Sequence, residues 1–350
     1  TLFGKNDLVF EGEINRLSPK GDPGSLTLST WTPLIINKNN QFNNLQEGMH
    51  IPIDVLLSEV QHGPVTLLSS GSVNLSQEIN DSYNSPYSLS LCSKDQKGMM
   101  LLGALKNKGD GPLIFNAFNG DLLIPGQIES KGDLKLKAGG QIQLGGKSSL
   151  ASSLKTTAGN IEVSALKGID LFPLSQIETK EGNLLFSSAG PIFLQEQSEI
   201  NLVGHGSITF QGLFTKPIES MSLKEAQIKA STHSKCLLID TILEGLSIDS
   251  GTIYGGSGGV DLIGVGGDIN IEGKTGPAGI FSDGHLEINV KGNLMLNASQ
   301  NEVFLKANKK IQLIIGQDYL SNANLADAKL TSLQSISMTG QGHLILNGMN

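Results

Sequence analysis

Pairs of apolar residues that flank one polar residue recur about every eight positions along the chain. Between residues 161 and 210 the first members of these pairs stand at positions 161, 169, 177, 184, 192, 200 and 208. The i, i+2 spacing within a pair places both side chains on one face of a strand and the residue between them on the other. The same step occurs elsewhere, at Val65/Val73, Leu134/Ile142, Leu286/Leu294, Val303/Ile311 and Ile336/Leu344. Most of the chain is therefore predicted to form short strands with one buried face.

Two architectures fit eight residues per strand and turn. An antiparallel sandwich or barrel also has strands at a spacing of about 8–12 residues. A longer repeat favours a solenoid, because Gly-Asn or Gly-Asp opens a strand at Gly132, Gly159, Gly182, Gly267 and Gly292. The segment from Gly159 to Gly182 has the length of three short strands. We predict an all-β, right-handed parallel β-helix with three short strands per coil of about 23–25 residues, and the antiparallel sandwich is the alternative.

Three stretches interrupt the period, at residues 1–61, 81–111 and 215–258. The first is predicted to be an irregular N-terminal cap or a set of irregular first coils. Residues 62–350 are predicted to form the β-helix, with less regular insertions near 81–111 and 215–258. The chain begins at Thr1 with no signal-like segment, so we expect it to be a piece of a longer protein.

The first members of the pairs are predicted to form the core of the solenoid. Residues at these positions should point inward and be nearly fully buried. The predicted core residues are Leu134, Ile142, Ile161, Ile169, Leu184, Ile192, Ile200, Ile208, Leu286 and Leu294.

The charge of the chain argues against a nucleic-acid partner. The 25 basic and 33 acidic residues give a net charge of −8, and Arg16 is the one arginine. Proteins that bind nucleic acids use lysine and arginine to neutralise phosphates, so we expect no such partner. No run approaches the roughly 18 apolar residues of a membrane helix, so we expect no direct membrane insertion. Cys92 and Cys236 stand about six coils apart and are predicted to be free thiols.

Several runs resemble the repeats of filamentous-haemagglutinin-type exoproteins. They are residues 132–144 (GDLKLKAGGQIQL), 175–179 (SQIET) and 182–194 (GNLLFSSAGPIFL). These exoproteins are large adhesins exported by two-partner secretion and are akin to autotransporter passengers. The resemblance covers residues 112–210 well and 259–347 loosely. It implies a β-helical surface protein, located outside the cell or at the bacterial cell surface.

Enzymes that share the β-helical fold need clustered carboxylates or basic residues. Residues 204–208 (GHGSI) resemble one motif of the polygalacturonases, in which a histidine assists paired aspartates. The chain contains no adjacent acidic pair, whereas glycoside hydrolysis uses two neighbouring carboxylates. Pectate-type lyases depend on arginine and on aspartate clusters that bind calcium. We therefore predict that this glycine-rich motif is a turn and that the protein is not an enzyme.

No metal or cofactor site is predicted. His205, His285 and His343 each stand just before a strand, and we expect them to be solvated residues at corners of the solenoid. Zinc sites normally show closely spaced ligand pairs, which these histidines lack. Residues 255–259 (GGSGG), with Asp261 beyond them, resemble a calcium-binding nonapeptide with the aspartate one position late. We interpret this run as a loop, and no catalytic, cofactor-binding or metal-binding residue is assigned.

The sequence thus leads to two functional expectations. The first is a non-enzymatic, secreted or surface-exposed bacterial protein that is structural or adhesive, either a rigid β-helical rod or a subunit that forms fibres. Its expected partners are further copies of itself, end to end, or a ligand on a host or cell surface. The alternative is a β-helix that binds or degrades polysaccharide, for which a shallow groove on one face, lined with carboxylates, would be the distinguishing feature.

Overall fold

The computed structural model describes residues 2–4, 24–38, 48–146, 151–323, 328–341 and 343–347. The chain contains two compact units, residues 1–166 and residues 167–350. Arg16 and part of the predicted N-terminal cap lie outside the described residues. The predicted boundary at residue 61 falls within the first unit.

The first unit contains seventeen described strands and one helix. In chain order they are β1 (Leu2–Gly4), β2 (Leu26–Thr30), β3 (Leu34–Asn37), β4 (Met49–Pro52), α1 (Ile53–His62), β5 (Val65–Ser69), β6 (Val73–Leu75), β7 (Asn80–Tyr83), β8 (Leu89–Ser93), β9 (Met99–Leu101), β10 (Ala104–Asn107), β11 (Leu113–Ala117), β12 (Leu122–Ile124), β13 (Gln127–Ser130), β14 (Leu134–Ala138), β15 (Gln141–Leu144), β16 (Ser153–Thr156) and β17 (Ile161–Ala165).

The second unit contains twenty-two described strands. They are β18 (Gly168–Leu171), β19 (Gln176–Thr179), β20 (Leu184–Ser188), β21 (Ile192–Leu194), β22 (Glu199–Leu202), β23 (Ile208–Gly212), β24 (Met221–Lys224), β25 (Gln227–Ala230), β26 (Leu237–Asp240), β27 (Gly245–Asp249), β28 (Thr252–Gly255), β29 (Val260–Val265), β30 (Asp268–Glu272), β31 (Ala278–Ser282), β32 (Leu286–Val290), β33 (Leu294–Ala298), β34 (Val303–Ala307), β35 (Lys310–Ile315), β36 (Tyr319–Ala323), β37 (Ala328–Ser332), β38 (Ser335–Gly340) and β39 (Leu344–Asn347).

Each unit is built from three parallel sheets, and the chain visits them in the same order in every regular coil. In the second unit sheet 1 contains β20, β23, β26, β29, β32, β35 and β38; sheet 2 contains β18, β21, β24, β27, β30, β33, β36 and β39; and sheet 3 contains β19, β22, β25, β28, β31, β34 and β37. In the first unit the corresponding sheets contain β1, β2, β5, β8, β11, β14 and β17; β4, β3, β6, β9, β12 and β15; and β7, β10, β13 and β16. Each strand pairs with the strand one coil further along.

The predicted all-β, right-handed parallel β-helix with three strands per coil is confirmed. The pairing register shows the coil repeat directly, because Leu246, Ile269, Leu294 and Tyr319 are successive partners in sheet 2. A longer coil lies between Ile192 and its partner Met221, because residues 213–220 form an extended turn. Strands β7 to β10 lie within or at the edge of residues 81–111 and pair in parallel, as do strands within residues 215–258.

The core consists of columns of aliphatic side chains that repeat from coil to coil. The ten residues predicted to point inward are all buried, with none more than 1% exposed. Two phenylalanines extend one column, since the rings of Phe186 and Phe210 stack with centroids 4.7 Å apart. The prediction of the core from the eight-residue step is therefore confirmed.

Helix α1 occupies the position in the chain at which later coils have a strand of sheet 3. Its buried residues Ile53, Leu56, Leu57 and Val60 follow helical spacing and form one apolar face. The Ser85 hydroxyl donates a hydrogen bond of 2.6 Å to the carbonyl of Val60, one of the carbonyls that the helix end leaves without an intrahelical partner. No described helix is long and apolar enough to cross a membrane.

The turn from sheet 2 to sheet 3 in the second unit uses a left-handed residue on four successive coils. Leu174, Gln197, Glu225 and Ser250 have φ between 50° and 65°. In this conformation the N–H groups of Gln197, Glu225 and Ser250 donate hydrogen bonds of 2.8–2.9 Å to carbonyls one coil further along. Because side chains other than glycine and asparagine are disfavoured there, the ladder holds these residues in a strained backbone region.

Candidate functional site

In the second unit, histidine, cysteine and aspartate side chains lie at or beside the corner where the chain passes from sheet 3 to sheet 1. This corner comprises residues 203–207, 231–236, 256–259 and 283–285 of four successive coils. Parallel stacking places equivalent corner positions above one another, at about 4.8 Å per coil. Residues that stand one coil apart in the sequence therefore become neighbours.

A groove of about 440 Å³ lies beside this corner, on the outer face of sheet 3. We call it the sheet 3 groove. It crosses β22, β25, β28 and β31. Its lining residues are Asn201, Leu202, Val203, Lys229, Ala230, Ser231, Thr232, Tyr254, Gly255, Phe281 and Asp283.

Two aromatic side chains form part of the wall of the sheet 3 groove. Tyr254 and Phe281 are register partners on β28 and β31, and their ring centroids are 6.2 Å apart with a tilt of 57°. Both point outward from the sheet and are half-buried. Their rings thus offer apolar surface to the space in front of the sheet.

Glycines allow close packing of the corner beside the groove. A Cβ atom on Gly256 would collide with the carbonyl oxygen of Ser231 and the hydroxyl of Ser234 on the preceding coil. A Cβ on Gly255, in the same coil, would collide with the buried side chain of Val260. The run predicted to be a loop is therefore a closely packed corner.

The charged groups of the groove have partners. The Lys229 ammonium lies 3.2 Å from Glu199, and the Asp283 carboxylate accepts a hydrogen bond of 3.0 Å from the Asn308 amide. Val203 is 49% exposed and supplies an apolar edge. The groove therefore combines apolar walls with a polar rim in which Lys229 is paired with a carboxylate and Asp283 keeps its negative charge.

A Cys–Asp–His cluster occupies the next part of the corner. The Cys236 thiol donates a hydrogen bond of 3.2 Å to one carboxylate oxygen of Asp261, and His285 Nε2 lies 2.7 Å from the other oxygen. The imidazole ring lies against Gly259, whose φ of +101° and lack of a side chain make room for it. The predicted solvated corner histidine at position 285 is thus half-buried and paired with a carboxylate.

The electrostatics of this cluster suppress the reactivity of the thiol. Burial, followed by the hydrogen bond and the negative charge of Asp261, raises the pKa of Cys236 to about 12. A thiol becomes a nucleophile as its thiolate, so this shift works against nucleophilic chemistry. The thiol also donates to the carboxylate and not to the imidazole, whereas an activated cysteine is paired directly with its base.

Three other histidines lie at corners of the solenoid. His205 and His233 are exposed on successive coils of the same corner, with ring centroids 5.7 Å apart. His343 lies at the corner before a strand of sheet 2, where its Nδ1 is 3.2 Å from Asp318. Backbone and side-chain hydrogen bonds from His343 lower the pKa of Asp318. Within the described part of the chain, no group of three or more histidine, cysteine, aspartate or glutamate side chains has the geometry to hold a metal ion.

The sheet 3 groove was not predicted from the sequence. Tyr254 and Phe281 stand one coil apart in the sequence, and they are brought together as register partners. Cys236 and Asp261 of the neighbouring cluster also stand about one coil apart in the sequence, and their side chains meet across adjacent coils. One coil step between a pair of aromatic or polar residues is the signal that could have found these contacts.

The fold and the site together define a class of protein. It is a parallel β-solenoid with three strands per coil, and its second unit has an aromatic groove beside a polar corner. No family model matches the chain, and comparison with curated proteins and with solved structures also finds no match. The structure is compatible with a β-helical protein.

Proposed function

We propose that the chain is a non-enzymatic structural or adhesive protein of the filamentous-haemagglutinin or autotransporter-passenger type. In this proposal it acts outside the bacterial cell or at its surface, as a stiff β-helical support or as a subunit of a fibre. The observation that carries the proposal is the parallel ladder within each unit, in which successive coils are joined strand by strand on three sheets. Such a scaffold tolerates variation at its corners and outer faces while its backbone stays paired.

Side-chain ladders reinforce the coil-to-coil connections. At the corner before sheet 2, an oxygen of Asp268 accepts the backbone N–H of Asn293 at 2.7 Å, and Asn293 in turn accepts that of Asp318 at 3.0 Å. The Asp318 carboxylate accepts the N–H of His343 at 2.7 Å. These hydrogen bonds run along the direction of stacking, which supports the role of a stiff spacer.

The outward-facing side chains also connect neighbouring coils. Lys106 lies 2.6 Å from Glu129 in the first unit, and Lys224 lies 2.9 Å from Glu196 in the second. Ion pairs at the surface contribute little to stability, because water and salt screen their charges. Their main effect is a polar, mixed-charge exterior, which suits an exposed extracellular protein.

The proposal of a fibre-forming subunit includes self-association through the last described coil of the second unit. Ile336 and Met338 on β38 are 46% and 37% exposed, whereas their register partners Ile311 and Leu313 on β35 are buried. Within the described residues, β38 is the last strand of sheet 1. Strands of this kind can pair with a strand of another chain. In this proposal the coil that contains β38 stacks against a second copy of the chain.

Sedimentation velocity of the purified chain tests this association. We expect the average mass to rise with protein concentration, and the double variant Ile336→Lys/Met338→Lys to remain monomeric because a charge would enter the stacked column. Ser337→Lys, on the same strand but on its opposite face, is the matched control and should associate like the unmodified chain. A chain that stays monomeric throughout, or a double variant that associates normally, would contradict the proposal.

A further inference from the structure

We propose that the sheet 3 groove of the second unit binds an uncharged glycan chain. This inference rests on the proposed adhesive function, for which it names the ligand class and the binding surface. Three features of the groove support this inference: its shape, its aromatic wall and a rim whose one cation is already paired.

The shape of the groove suits an extended ligand. It crosses four coils, from β22 to β31, which corresponds to about 14 Å along the direction of stacking. A volume of about 440 Å³ falls within the range of small-molecule sites, which are concave and mostly apolar with a few polar groups.

The aromatic wall matches one face of a sugar ring. A pyranose carries C–H groups on its faces and hydroxyl groups around its edge. The faces of Tyr254 and Phe281 are electron-rich, so they attract the weakly positive C–H groups of such a ring. The two aromatic residues belong to adjacent coils, and their half-buried state holds the rings in place while leaving surface available.

The rim of the groove supplies hydrogen-bonding groups and one uncompensated negative charge. Asn201, Thr232 and Asp283 offer carboxamide, hydroxyl and carboxylate groups around the aromatic wall. The one cation of the lining, Lys229, lies 3.2 Å from Glu199, and the carboxylate of Asp283 accepts a hydrogen bond from a neutral amide. An anionic glycan would therefore meet the negative charge of Asp283 and a lysine that is already paired. This charge distribution disfavours an anionic glycan, and the polar groups of the rim suit an uncharged, hydroxyl-rich one.

An apolar peptide segment or a second copy of the chain fits the same groove less well. Either occupant would strip water from Asp283 and from the Lys229–Glu199 pair, and removing water from charged groups is costly even when they are paired. The hydroxyl groups of a glycan can replace the water molecules around these side chains.

Isothermal titration of the full chain with cellohexaose, maltohexaose and chitohexaose tests the inference, with hexagalacturonate as the charged probe. We expect at least one uncharged hexasaccharide to bind, and hexagalacturonate to bind at least tenfold more weakly. Tyr254→Ala and Phe281→Ala should each weaken the affinity at least tenfold. Phe193→Ala removes an outward aromatic residue of sheet 2 in the same unit and is the matched control, with unchanged affinity expected.

Three results would overturn the inference. They are failure of all three uncharged probes to bind, affinity that is insensitive to the Tyr254 and Phe281 substitutions, and dimerisation of the chain that is lost in Tyr254→Ala. Circular dichroism of each variant shows that the β-solenoid is intact, so that lost binding reports on the groove. Release of reducing sugar from a bound probe would contradict the proposed non-enzymatic function but not the proposed binding site. A chain that self-associates but binds no probe would contradict the binding site and not the proposed function.

Discussion

At the residue scale, the stability of the solenoid depends on inward columns in which each side chain packs between its counterparts on adjacent coils. Ile208 is fully buried, and its register partners in sheet 1 are Leu184 and Leu237. Removing atoms from such a position leaves a cavity bounded by two neighbouring coils. The loss of contact therefore extends in both directions along the column.

We expect Ile208→Ala to lower the free energy of unfolding by about 2–5 kcal/mol, because it removes buried methyl and methylene groups and leaves a cavity. Urea unfolding followed by circular dichroism measures this change. Thr209→Ala, on the outer face of the same strand, is the control and should change the free energy by no more than about 0.5 kcal/mol. Equal effects of the two substitutions would show that the faces of β23 are assigned wrongly.

A second residue-scale prediction concerns the Cys236 thiol. Since its pKa is raised to about 12, alkylation by iodoacetamide near neutral pH should be much slower than for an unhindered cysteine. Asp261→Asn removes the negative charge beside the thiol, so alkylation of Cys236 should accelerate several-fold while burial still opposes it. Mass spectrometry of the alkylated peptides measures both thiols at once, and Cys92 in the other unit is the internal control. No acceleration in Asp261→Asn would contradict the electrostatic role of the carboxylate.

The same pKa shift has a consequence for stability. The folded state favours the protonated thiol, so its contribution is fully present below the unperturbed pKa of 9.0. It is lost as the pH rises from there toward about 12, because the unfolded chain releases its proton first. Alkaline conditions should therefore weaken the second unit.

At the element scale, the turns from sheet 2 to sheet 3 show how the ladder imposes backbone conformation. Leu174 has φ of 65° although leucine disfavours this region. The neighbouring coil fixes the turn, since the N–H of Leu174 donates a hydrogen bond to the carbonyl of Glu196. Strain at one residue is offset by pairing along the whole element.

We expect Leu174→Gly to raise the free energy of unfolding by about 0.5–1 kcal/mol, because relief of the left-handed strain exceeds the entropic cost of glycine. Leu243→Gly replaces another exposed leucine of the second unit that is not left-handed, so it should lower the free energy by about 0.5–1 kcal/mol. Thermal or urea unfolding distinguishes the two signs. A destabilising Leu174→Gly would contradict the account of this turn.

The strands and the core were predictable from the sequence, because a strand with one buried face has apolar residues at every second position. The repetition of this pattern along the chain predicts the coils. Helix α1 was not predicted, since it lies in a stretch defined by loss of that period. Ile53, Leu56, Leu57 and Val60 nonetheless have helical spacing, and a search for that second period would have located the helix.

At the scale of the whole molecule, the sheet 3 groove and the Cys–Asp–His cluster depend on contacts between residues that are distant in sequence. Tyr254 meets Phe281, and Cys236 meets Asp261, only because the chain returns to the same corner after one coil. The coil length varies within sheet 2 of the second unit, where the turn at residues 213–220 lengthens one coil relative to the others. The register of corner residues therefore cannot be counted from a fixed repeat, which is why the core was predicted and the groove was not.

We propose that the protein acts by shape and binding and not by turnover. The release of reducing ends and unsaturated uronic acids from a panel of neutral and acidic polysaccharides, incubated with the purified full chain, tests this proposal most directly. We expect no product above a protein-free blank, with a pectate lyase and a cellulase as positive controls. Product that increases in proportion to the amount of the chain would refute the proposal.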